Sequence, residues 1–399
     1  MNPDTKNLIA AICLSMSVLI GYQILFGEPT QQNVKNEEKK IEKNNDTSIN
    51  IPKSTKKENL NQNLKSIKNI PRVKILNNEL DGSISLLGAR IDDLTLINYK
   101  ENLDPESKQI RFLKKIEQKE PFFIQFGWMS EENDNDTKVP NGNTIWSSSS
   151  KILQPGKEIT LTWNNKQGVT FYQIISIDEN FMIKVKQKVK NNSNKSINLY
   201  PFGLIRRAGE PKTTDFFVLH EGPLGVIDGE LKEESYSDVK ESGTKGLSYI
   251  PEQKGGWIGI TDKYWMAALI PDQNQKVNFE HTYINNSSYQ TAYFGSLLTV
   301  PANSEQVFST RAFSGAKKLD LLDKYEEDLK IKNFDLAIDF GWFYFLTKPF
   351  FYALSWANNI LGNFGLAILA ITVIVKIIFF PLANKSYKSM ARMRVLTPQ

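Results

Sequence analysis

Cysteine is almost missing from this 399-residue sequence, with Cys13 the only one. It lies inside an apolar run near the N-terminus, so the rest of the chain can form no internal disulfide in any compartment. A lipoprotein reading of Cys13 fails because Ile12 precedes it and the apolar run continues beyond it. Histidine is scarce too: His220 and His281 are the only two, which disfavours His-rich metal sites. Either could pair with a carboxylate such as Glu221 as acid and base, but no motif fixes them in one site, and structural histidines are the better reading. Glycine-rich phosphate loops, a nucleophile elbow and metal-ligand spacings are all absent, so neither cofactor nor metal is expected. The balance of 49 basic and 44 acidic residues gives a mild net charge of +5. With no recognition motif beside it, that charge does not argue for nucleic acid. A mean hydropathy of -0.37 excludes a polytopic transporter and requires most of the chain to be water-soluble.

Two long apolar runs stand out against that background. Leu8–Phe26 is apolar apart from Ser15, Ser17 and Gln23. At about 1.5 Å per residue it just crosses a hydrocarbon core of about 30 Å. It leaves through Gln23-Ile24-Leu25-Phe26-Gly27-Glu28-Pro29 without a small-x-small cleavage site, so residues 1–27 read as an uncleaved anchor rather than a signal peptide. Residues 28–70 contain no aromatic residue and are crowded with Asn, Lys, Glu and Gln, the composition of a disordered tether.

Residues 71–315 change texture. Ser83–Leu87, Ile91–Ile97, Lys157–Trp163 and above all Phe181–Val189 alternate apolar with polar side chains. Asp81-Gly82, Asn141-Gly142, Pro155-Gly156, Asp228-Gly229 and Gly255-Gly256 read as turns between such runs. This density of period-2 strands predicts an antiparallel β-sandwich of two sheets. Trp128, Trp146, Trp163, Trp257 and Trp265 are assigned to core packing in preference to a ligand groove. Residues 316–338 form a closing helical segment, with Leu322, Tyr325 and Leu329 on one stripe of a helix over 320–329.

Residues 339–361 are rich in rings, and Lys348-Pro349 interrupts the apolar run, which argues against a free spanning helix. The pattern predicts an interfacial amphipathic helix with Trp342, Phe345, Leu346, Phe350 and Leu354 towards acyl chains and Trp356 among its aromatics. After a break at Gly362-Asn363, residues 362–383 form a second transmembrane helix, with Pro381 expected to kink its far end. Thr372 and Lys376 are four apart and share a face. A lysine at this depth costs at least about 2.5–3.5 kcal/mol on insertion scales, and snorkelling to the Lys385 side is marginal, so a water-filled cavity is the better reading. Lys385, Lys388, Arg392 and Arg394, with no acid from Ile377 to Gln399, mark the cytoplasmic side. Two spans then put both termini in the cytoplasm and the β domain outside it.

Taken together, Asp339-Phe340-Gly341-Trp342, Lys348-Pro349-Phe350, Gly362-Asn363-Phe364-Gly365, Lys376, Phe380-Pro381-Leu382 and Ser386-Tyr387-Lys388-Ser389-Met390-Ala391-Arg392-Met393-Arg394 resemble the YidC/Oxa/Alb family of membrane protein insertases, in its Gram-negative type. The resemblance is specific over about residues 339–399 and weaker, though consistent in layout, before them. It implies a multi-pass inner membrane protein with a mutarotase-like periplasmic sandwich, and a positively charged groove holding Lys376 and Thr372. Nascent membrane proteins, Sec translocon subunits, membrane lipids and the ribosome would be its partners, in insertion and in chaperoning. The family core carries an arginine where this chain has Lys376, which keeps the charge but loses the planar fork of donors. Residues 384–399 would begin the family's cytoplasmic helical hairpin. The later spans are absent, so the sequence is expected to be a C-terminally truncated or partial one. A membrane-anchored periplasmic carbohydrate-binding or epimerase-like domain, or a docking platform for translocation components, remains open on the residues alone.

Overall fold

Strand Met182–Asn191 sets the pattern of the whole domain. Ile183, Val185, Gln187 and Val189 point inward and are fully buried, while Lys184, Lys186, Lys188 and Lys190 face outward. In the computed structural model, which describes residues 70–131, 137–211, 219–341 and 343–396, this strand pairs on one side with Val169–Ile177 and on the other with Ser304–Ala316. Among the described residues the strands form two sheets, of nine and eleven strands. Pairing is antiparallel apart from Arg72–Leu76 against Ile152–Leu153. The anchor and tether expected over residues 1–69 lie outside the described residues.

The two sheets face each other across one core, as the alternation predicts. Trp128 of the eleven-stranded sheet meets Phe171 of the other edge-on, with ring centroids 5.1 Å apart, and Tyr293 stacks on Phe308 at 5.9 Å. Burying each such large apolar side chain is worth about 1.5–3 kcal/mol. Trp128, Trp146 and Trp257 are buried and Trp163 and Trp265 pack against the same core, so the tryptophans hold the sandwich together. Two glutamines of the nine-stranded sheet cross the core as polar ties. Gln187 donates to the Gly127 carbonyl at 2.6 Å and accepts from the Tyr293 hydroxyl, and Gln173 donates to the Phe126 carbonyl at 2.9 Å.

Asp228-Gly229 joins strands Gly222–Ile227 and Glu230–Glu233, both residues in the left-handed region, as a type I′ hairpin turn requires. Asp81-Gly82 is not the turn that the sequence suggests. It lies inside strand Leu80–Ser85, with Gly82 opposite Leu94. A Cβ there would meet the Asp93 carbonyl oxygen at 1.9 Å, so the glycine serves close backbone approach within the sheet.

A short helix α1 (Tyr236–Ser242) is capped by Ser235. After the last strand, α2 (Leu319–Leu329) buries Leu319, Leu322 and Tyr325, with the Tyr325 ring edge-on to Phe313 of the nine-stranded sheet at 6.2 Å. A 3-10 turn over Phe334–Ala337 follows, its Phe334 ring buried edge-on against Trp257 at 5.5 Å and Phe313 at 5.6 Å. Then come α3 (Tyr344–Leu361) and α4 (Phe364–Leu396). The break between them falls at Gly362, in the left-handed region, and at Asn363, whose side chain caps the Leu366 N–H at 3.1 Å. The second helix, α4, runs through Pro381 and on to Leu396.

Candidate functional site

Among the described residues, Phe364–Met390 of α4 is the one helix long and apolar enough to cross a membrane, about 40 Å at 1.5 Å per residue. Ile377, Ile378, Phe379, Phe380 and Leu382 stand exposed along it. From Phe364 to Asn384 the only charge is Lys376. It lies about 18 Å along the axis from Phe364 and about 14 Å from Lys385, close to the middle of the apolar stretch.

Thr372 precedes Lys376 by one turn on the same face. Its Oγ1 donates to the Ile368 carbonyl at 2.7 Å, which leaves the oxygen free to accept but not to donate. The pair therefore presents one ammonium and one acceptor to whatever enters. Among the described residues, no ion pair or hydrogen bond engages the Lys376 side chain. Lys385 and Lys388 continue on the same helix and are exposed, and Arg392 and Arg394 fall in its last turns.

The second constellation joins α3 to the sandwich. Lys348, which interrupts the apolar run in the sequence, is turned back onto the domain. Its Nζ donates to Asp335 Oδ2 at 2.5 Å and to the Tyr344 hydroxyl at 3.1 Å, with Asp323 Oδ1 3.6 Å away. The Tyr344 hydroxyl also donates to Asp335 Oδ2 at 2.6 Å, and the Tyr352 hydroxyl to Asp323 Oδ2 at 2.6 Å. The ammonium lies 5.4 Å from the centroid of the Tyr344 ring and 5.8 Å from that of Tyr352. Burial pushes the Asp335 carboxyl up, but the bonds from Lys348 and Tyr344 outweigh it and hold the group below its ordinary value.

Of the positions expected to face lipid, Phe345, Leu346 and Phe350 are exposed and Leu354 is half-buried, and Trp356, expected among the helix aromatics, is exposed too. Trp342 lies outside the described residues. Asp335, Asp323, Tyr344 and Tyr352 are the partners that sequence reasoning missed. The four-residue spacing of Tyr344, Lys348 and Tyr352 was the available signal, since it places all three on one helical face. The two histidines take structural roles. His281 is wholly buried with Nδ1 2.8 Å from Thr291 Oγ1, and the His220 ring sits 3.0 Å from the Pro223 carbonyl.

Residues 72–353 match the family model described as the YidC periplasmic domain, and residues 356–399 match that of the 60Kd inner membrane protein. The protein called membrane protein insertase YidC in Rickettsia bellii (strain OSU 85-389) is 40% identical over 402 residues, covering all of this chain and 70% of its own length. The protein of the same name in Rickettsia prowazekii (strain Madrid E) is 39% identical over 415 residues, covering all of this chain and 71% of that one. Among solved structures, a galactose mutarotase-like protein from Lactobacillus casei ATCC 334 superposes with a TM-score of 0.41 at 10% identity, covering 61% of this chain and 99% of that one.

Proposed function

The chain belongs to the YidC family of membrane protein insertases, and we propose that its insertion chemistry centres on the Lys376 ammonium of α4. The activity is insertion of nascent membrane proteins, not a covalent reaction, and its setting is the inner membrane with a periplasmic domain. A lone cation near the middle of a long apolar helix, with Thr372 one turn before it, carries the reading.

Magnitudes make the role workable. An aspartate entering the hydrocarbon costs about 2.5–3.5 kcal/mol on insertion scales. Opposite charges at 4 Å attract by about 4 kcal/mol at an effective dielectric constant of about 20. Lys376 in a groove open to cytoplasm and lipid would therefore offset the cost of drawing an acidic segment part-way in. The substrate's apolar helix then partitions sideways into lipid, and Thr372 accepts a hydrogen bond beside the charge.

The basic flank of Lys385, Lys388, Arg392 and Arg394 supports a cytoplasmic location for the far end of α4, and the apolar run Leu8–Phe26 supports a multi-pass chain with both of its ends there. On this topology α3 lies in the outer interface of the membrane, Phe345, Phe350 and Trp356 among acyl chains and headgroups. The sandwich then offers a periplasmic platform to Sec translocon subunits, and the basic flank a cytoplasmic one to the ribosome.

The test is complementation of cells depleted of their own insertase, with photo-crosslinking from position 376. Lys376→Ala should lose growth and Lys376→Arg should keep it, with nascent chains crosslinked at 376. Full growth of Lys376→Ala would refute the charge role.

A further inference from the structure

We infer that Lys348 is a positioning residue, whose ion pair with Asp335 and Asp323 locks α3 to the sandwich and thereby sets which face of α3 meets the membrane. The consequence for insertion rests on the interfacial reading of α3 above; the lock itself does not.

The base of the lock is rigid. Asp335 is only 3% exposed and follows Phe334, whose ring is wedged among Trp257, Phe313 and Tyr325. Its backbone N–H donates to Glu326 Oε2 of α2 at 3.2 Å. Asp323 stands on α2 itself, which is rooted in the core through Leu322 and Tyr325. Both carboxylates therefore hold fixed places relative to the two sheets.

The moving half needs such a hold. Pro349 lies inside α3, donates no N–H to the carbonyl four residues back, and weakens the helix at that point. Tyr344 and Lys348 bind the domain before the proline and Tyr352 binds it after, so the three contacts splint the helix across its weak point. They also fix its rotation. At 100° per residue the Tyr344–Lys348–Tyr352 stripe faces roughly opposite to Leu346 and Phe350, which are exposed. The buried Phe340 ring adds an apolar hold beside them, edge-on to Tyr344 at 5.4 Å and to Phe351 at 5.8 Å.

A competing use for Lys348 would be to hold a lipid phosphate from the interface. Its Nζ already serves two carboxylates and a hydroxyl, and the side chain is only 19% exposed, so little of the cation is left for a headgroup.

The experiment uses the full-length protein in lipid nanodiscs, with Cys13→Ser and spin labels at the exposed positions Lys157 and Asn359. The parent and Lys348→Arg should give one narrow distance distribution, and Lys348→Met a clearly broader one. The melting of the sandwich should be unchanged, and insertion of a single-span substrate should fall severalfold in Lys348→Met alone. Where that variant fails to accumulate, Tyr352→Phe, which removes the hydroxyl bond to Asp323 and leaves the Lys348–Asp335 pair in place, should broaden the distances to a lesser degree. An undisturbed distribution in both variants overturns the lock, and broadened distances with undiminished insertion overturn the positioning role. Lys376→Ala should lose insertion at parental distances, so failure of the groove reading is told apart from failure of this one.

Discussion

Lys318, at the root of α2, donates from Nζ to Glu79 Oε1 at 2.7 Å, tying the exit of the last strand to the beginning of the sandwich across 239 residues of chain. Its ammonium also lies over the Phe181 and Tyr99 rings, at 5.4 and 5.7 Å from their centroids. Asp323 and Asp335, the two carboxylates that hold Lys348 of α3, both follow this tie in the chain.

Lys318→Met should destabilise the folded domain by about 1 kcal/mol, since the lysine is part-exposed and solvent screening keeps such a pair weak. Urea unfolding followed by tryptophan fluorescence would check it. A loss above about 3 kcal/mol would mean the tie behaves as a fully buried pair.

Gly82→Ala is expected to be among the more damaging small substitutions in the domain. Its Cβ meets backbone, the Asp93 carbonyl at 1.9 Å, and no flexible side-chain tip can move aside. A loss of about 3 kcal/mol or more is expected, against about 1 kcal/mol for an ordinary substitution. The same unfolding measurement decides it.

His281 should make the domain acid-sensitive. Burial, helped by nearby His220, depresses its ring from the ordinary value of 6.5 to about 3. Between those limits the unfolded chain binds a proton that the folded one refuses, so stability falls as pH drops from about 6.5 to about 3. The slope approaches about 1.4 kcal/mol per pH unit from this one group. His281→Gln should flatten that part of the stability–pH curve relative to the parent; an identical slope in both would exclude the histidine as its source.

Thr372→Val should weaken insertion less than Lys376→Ala does. The valine keeps the shape, and the lost bond to the Ile368 carbonyl is one that the helix does not need. Only the acceptor beside Lys376 disappears, so a loss below about tenfold is expected, equivalent to less than about 1.4 kcal/mol. Crosslinking yield at position 376 in the variant measures it. A loss equal to that of Lys376→Ala would make the hydroxyl a principal contact.

Much of this protein was legible in one dimension because its signals are local and periodic. The lysine-on-one-face strand Met182–Asn191, the Asp228-Gly229 hairpin and the Gly362-Asn363 break each follow from neighbouring residues and backbone preference. So does the apolar stretch from Phe364 to Asn384 with its single charge, since hydrocarbon thickness alone sets the length it needs. Of the candidate site, Thr372 and Lys376 share a face simply because helix geometry repeats every 3.6 residues. The same local rules misread Asp81-Gly82, whose glycine answers to a neighbouring strand and not to its own turn propensity. They also left Lys348 without a purpose. In the sequence it is a charge interrupting an apolar helix; in the folded chain it meets Asp335 and Asp323, 13 and 25 positions away, on a shelf formed by α2 and the Phe334 turn. That meeting depends on where a two-sheet core sets α2 down, and only packing across many distant residues decides it.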